Sequence, residues 1–68
     1  MSKGTVKWYN ATKGFGFIKP DNSNADVFVH VTALEKSNIS TIAEGQRVTF
    51  EVLPGRKGDQ AVNLSFEQ

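Results

Sequence analysis

The chain has no cysteine, one histidine and two prolines among its 68 residues. Without cysteine there is no disulfide to staple a small fold and no thiolate to hold a metal. The single histidine, His30, stands among scattered carboxylates with no metal-ligand spacing, so no metal site is expected. It is also the only base for a hydrolytic triad, and catalysis is not expected either. No apolar run comes near the length of a membrane span, about 18 residues. Met1-Ser2-Lys3-Gly4 lacks the hydrophobic core of a signal peptide. A cytoplasmic protein away from the membrane is the expectation. The pair Gly14-Phe15-Gly16 has no third glycine and opens no helix, so it is not a dinucleotide fingerprint. Arg56-Lys57-Gly58-Asp59 lacks the Gly-Lys-Ser/Thr order of a phosphate loop. Neither a cofactor nor a small-molecule substrate is expected. A chain of this length supports one domain, residues 1–68, with a thin core.

Acid is missing from the first twenty residues, which hold Lys3, Lys7, Lys13 and Lys19. The remainder carries four bases against seven acids, so a net charge of +1 conceals a basic front and an acidic rear. That basic front coincides with the aromatic residues, as an electrostatic footprint for a polyanion would.

The chain is organised around Lys13-Gly14-Phe15-Gly16-Phe17-Ile18-Lys19. Read as a strand, it places Lys13, Phe15, Phe17 and Lys19 on one face and the glycines with Ile18 on the other. A buried face would not bracket two phenylalanines with lysines, and a purely wet face would not carry the rings. The opposing glycines let the strand lie close to the backbone beneath it. A second strand, from Asp26 to about Val31, puts Phe28 and His30 with Asp26 and sets Val27 and Val29 opposite. Aromatic rings held in water beside cations are what a stacking platform for nucleic-acid bases requires. The alternative use of such a face, docking a protein, fits poorly with lysines between the rings and no apolar rim.

The other segments supply the core. Gly4 to Tyr9 favours extended backbone, but Val6 and Trp8 fall on one face, so either Trp8 is buried or the strand bends. Asp21-Asn22-Ser23-Asn24 is a turn after Pro20. Thr32-Ala33-Leu34-Glu35 fits a capping box and predicts one short helical turn capped by Thr32. A long connection runs to Glu44-Gly45. Arg47 to Leu53 alternates, with Val48, Phe50 and Val52 inward. The glycine-rich hairpin around Arg56 and Lys57 leads to a last strand with Val62, Leu64 and Phe66 inward and Ala61, Asn63 and Ser65 outward. Five short strands with so little core are best used closed on themselves, which removes the sheet edges.

Lys13 to Ile18 resembles the first ribonucleoprotein motif and Asp26 to His30 the second. In this spacing, after Val6-Lys7-Trp8-Tyr9-Asn10 and before Glu44-Gly45-Gln46, they resemble the bacterial cold-shock proteins over essentially the whole chain. The RRM fold is excluded, because its two helices find no place in this sequence and Pro20 stands where its motif ends in an aromatic. The resemblance implies an all-β fold, a small five-stranded OB-type Greek-key barrel with one short helical turn after the third strand. It implies binding of single-stranded RNA and DNA by a monomer, without cofactor, as an RNA chaperone or antiterminator in transcription regulation and stress response. The binding positions it implies are Lys7, Trp8, Lys13, Phe15, Phe17, Phe28, His30 and Lys57. Two positions depart from the family. Val31 replaces the aromatic that follows the histidine, and Ile39 stands for another in the long connection. Alternation turns Val31 inward, whereas the resemblance turns it outward beside the rings.

Overall fold

The computed structural model describes residues 2–55 and 58–67. Strand β1 (Ser2–Asn10) pairs antiparallel with β2 (Phe15–Pro20), and β2 with β3 (Val27–His30). The short helix α1 (Val31–Lys36) follows at once, and a connection carries the chain across to β4 (Arg47–Gly55) and β5 (Gly58–Phe66). Strands β4 and β5 form an antiparallel ribbon, β5 runs parallel to β3, and β4 returns to β1. The sheet closes in the order β1-β2-β3-β5-β4, the five-stranded OB-type barrel expected.

The barrel is filled by the aliphatic faces of its strands. Val6, Ile18, Val27, Val29, Val48, Phe50 and Leu64 are buried, and Ala33, Leu34, Ile39 and Ile42 close the open end from α1 and the connection. Each such fully buried side chain stabilises the fold by about 1.5–3 kcal/mol relative to exposure. Burial is what this fold relies on, there being no cysteine to cross-link it. The position expected to stand in for a ring in the connection, Ile39, belongs to this core and not to the surface.

Alternation fails at four positions, all on the ribbon. Val52 and Phe66, expected inward, are 40% and 45% exposed. Ala61, expected outward, is buried, while Val62 is only half-buried. For Ala61 and Val62 the cause is a bulge: Thr49 pairs with Ser65 but Glu51 pairs with Val62, so β5 carries one residue more than β4 between those pairs, whereas Phe66 keeps its register opposite Val48 at the end of the strand. Asn63, at the extra residue, takes a left-handed backbone with φ 51°. A one-residue insertion reverses every face beyond it. Beyond Phe50 the ribbon extends past the core, which leaves Val52 and Leu53 in solvent.

At the other end Arg47 ties three segments together. Its guanidinium donates to both carboxylate oxygens of Asp21 (2.7 and 2.6 Å), to Glu67 (2.9 Å) and to the Thr5 hydroxyl (2.9 Å). The paired hydrogen bonds from Arg47 hold the Asp21 carboxyl below its ordinary value of 3.8, against a smaller opposing effect of desolvation. Arg47 is correspondingly held more firmly in its charged form, chiefly by the same bonds.

Candidate nucleic-acid interface

The bend in β1 builds the site. Val6 pairs with Ile18 but Trp8 pairs with Phe17, so Lys7 is an extra residue on β1. The bulge resolves the conflict of faces: Val6 points to the core, Trp8 is 37% exposed, and Tyr9 turns back to pack against the core. Gly16 makes the close approach possible. A methyl group there would be driven into the Trp8 carbonyl oxygen and Tyr9 Cα, so only glycine seats β2 against β1 at this point.

The registers Trp8 with Phe17, Phe15 with His30, and Phe17 with Phe28 bring the rings together on the outer face of β1–β2–β3. The Trp8 centroid lies 5.5 Å from that of Phe15 and 5.3 Å from that of Phe17. Phe28 lies 5.7 Å from both Phe15 and Phe17, stacked on the first at 24° and edge-on to the second at 75°. His30 continues the row 6.2 Å from Phe28. These spacings lie within the range of aromatic pairs, so the rings support one another from the side. Phe15, Phe17 and Phe28 are each half-buried and His30 is exposed. The outcome is a continuous aromatic surface, neither core nor isolated rings.

His30 also caps α1. The Thr32 amide donates to His30 Nδ1 at 3.2 Å, and the Thr32 hydroxyl lies 3.1 Å from the same nitrogen. A nitrogen that accepts is bare, so the ring hydrogen sits on Nε2. The expected Thr32–Glu35 capping box is therefore replaced: the helix begins at Val31, and the cap is the histidine. Helix entry one residue early also takes Val31 out of β3. It is half-buried, outside the core cluster, and the backbone there is fixed by its amide donating to the Gly14 carbonyl at 2.8 Å.

The cations are less uniform than their spacing suggested. Lys7 is exposed but its Nζ lies 2.9 Å from Asp26 Oδ2, and Lys3 reaches Glu67 at 4.0 Å. Lys13 and Lys19 are exposed and enter no ion pair among the described residues. Lys57 lies outside the described residues. One participant escaped sequence reasoning. Gln60 and Gly58 join Phe17 and Phe28 around a pocket of about 270 Å³. Gln60 arrives there because β5 runs parallel to β3, with Gln60 opposite Phe28. No local pattern signals a parallel pairing between strands thirty residues apart. Among the described residues no group of acids and histidine could hold a metal ion, and no helix is long and apolar enough to cross a membrane.

The sequence matches the family described as the 'Cold-shock' DNA-binding domain over residues 2–66. It is 53% identical over 62 residues to the cold shock-like protein CspE of Escherichia coli, covering 91% of this chain and 90% of that protein. It is 52% identical over 63 residues to the cold shock-like protein CspC of Shigella flexneri, covering 93% and 91%. The major cold shock protein of Streptococcus pyogenes is 52% identical over 65 residues, covering 96% of each chain.

Proposed function

The chain belongs to the cold-shock domain family of non-enzymatic, nucleic-acid-binding proteins, and from that membership we propose that it binds single-stranded RNA and DNA as an RNA chaperone or antiterminator. The observation that carries this reading is the unbroken ring surface in which Trp8 and Phe28 each lie within about 6 Å of both Phe15 and Phe17, and His30 lies 6.2 Å from Phe28. Unpaired bases stack on these rings, each stack contributing about 1–3 kcal/mol before ordering costs. Lys7, Lys13 and Lys57 hold the phosphates. Every base has a π-face, so sequence preference is weak.

A protein that binds only the open strand shifts hairpin equilibria by mass action. At one hundred times the dissociation constant the shift is about 2.7 kcal/mol, enough to open marginal hairpins without ATP. In this reading residues 1–68 act as one domain and as a monomer in the cytoplasm, with no cofactor.

Trp8 is the only tryptophan and sits within the row, so its fluorescence reports the site directly. Titration with an unstructured oligonucleotide should change that fluorescence saturably, and the same sequence annealed to its complement should not compete. Equal binding of the duplex would refute the reading.

A further inference from the structure

A second concavity adjoins the ring surface. It lies between α1 and the β4–β5 ribbon, measures about 220 Å³, and is lined by His30, Thr32, Lys36, Leu53, Gln60 and Asn63 together with the small apolar residues Ala33, Ala61 and Val62. Two of its walls are shared with the rings. Gln60 also lines the pocket of Phe17 and Phe28, and His30 is the last ring of the row. A strand that leaves Phe28 past His30 or Gln60 meets this groove next.

Its chemistry suits a nucleotide. Among the described residues the ionisable side chains in its lining are His30 and Lys36, both bases, and no carboxylate lines it. Lys36 is exposed in the last turn of α1 and enters no ion pair among the described residues. Leu53, 54% exposed, offers an apolar wall for the flat face of a base. Gln60 and Asn63 carry amides that both donate and accept, as base edges require. The β5 bulge brings Asn63 to this wall, in a left-handed conformation that asparagine tolerates better than most residues. A cavity of roughly 150 Å³ takes a benzene ring, so the groove has room for one base.

We propose that the groove holds the next nucleotide of the bound single strand beyond His30, with its base against Leu53 and its phosphate on Lys36 Nζ. The inference rests on the ring surface being the nucleic-acid site. It extends the footprint past the point where Val31 and Ile39 supply no ring.

The test uses the full chain and unstructured single-stranded oligopyrimidines, lengthened one nucleotide at a time at either end, against the parent and Lys36→Gln. At one end only, the nucleotide that reaches the groove should raise parent affinity about two- to fivefold at low salt, the range of an exposed ion pair. Lys36→Gln should lose that increment and Lys36→Arg retain it, while both bind the shorter oligonucleotide as the parent does. The log–log salt slope should become shallower by about 0.7 in Lys36→Gln for the longer oligonucleotide alone. The Lys36 and Asn63 amide resonances should shift with the longer oligonucleotide and not with the shorter. An unchanged melting midpoint shows that the variants are folded. If the short oligonucleotide binds and lengthening adds nothing that depends on Lys36, the groove is refuted and the ring surface stands. If no oligonucleotide of any length binds, both fall together.

Discussion

His30 serves two structures with one ring: it ends the aromatic row and caps α1 through Nδ1. The two roles can be separated. Asparagine is among the best N-caps and has no ring, so His30→Asn should keep stability near the parent's while weakening oligonucleotide binding by about 1–3 kcal/mol. His30→Ala should weaken binding by the same amount and also lose about 0.5–2 kcal/mol of stability with the cap. Equal stability of the two variants, measured by urea unfolding, would show that the cap contributes nothing. Phe17 and Val29 divide along the same line, one on each side of the sheet. Phe17→Ala removes a half-buried ring from the surface row, so its binding loss of about 1–3 kcal/mol should exceed its loss of stability. Val29 is fully buried, and Val29→Ala should remove about 2 kcal/mol of stability and leave the affinity of the folded fraction unchanged. A stability loss for Phe17→Ala as large as the ~3–5 kcal/mol of a core phenylalanine would make it a core residue.

At the scale of elements, legibility followed the length of unbroken alternation. Strand β2, with glycines and Ile18 on one face and rings on the other, was readable residue by residue, and so were Val27, Val29, Val48 and Phe50. The bend at Lys7 was visible only as a conflict between Val6 and Trp8, since alternation detects a bulge without deciding which residue turns out. The bulge at Asn63 gave no such conflict, because Val62, Leu64 and Phe66 alternate cleanly in sequence, and so Ala61 and Val62 were misplaced. Val52 and Phe66 were misplaced because alternation does not show where a strand runs past the core. Gln60 was illegible because a parallel register is set by the whole barrel. The Arg47 cluster was equally invisible, its partners Thr5, Asp21 and Glu67 being joined only by closure of β4 onto β1. That cluster has a pH signature. Asp21 is held below its ordinary value in the folded chain, so its contribution to stability is complete above about pH 4 and is lost as pH falls through the folded value. Asp21→Asn should therefore melt below the parent at neutral pH, and the gap should close in acid. A gap that persists undiminished in acid, by thermal unfolding at both pH values, would mean that the ion pair is not its source.

Over the whole molecule the net charge of +1 is divided between a basic front and an acidic rear, and the structure softens the division. Lys7 is held by Asp26 and Lys3 approaches Glu67, so acids from later in the chain partly neutralise the front. Electrostatics alone is then a weak source of affinity, and the rings must supply most of it. The salt dependence of binding separates the two most directly. With two or three phosphates neutralised by Lys7, Lys13 and Lys57, the log–log slope for a short single-stranded oligonucleotide should be roughly −1.5 to −2, with most of the binding free energy remaining on extrapolation to 1 M salt. A slope steeper than about −4, with affinity vanishing at that extrapolation, would mean that charge and not stacking holds the strand.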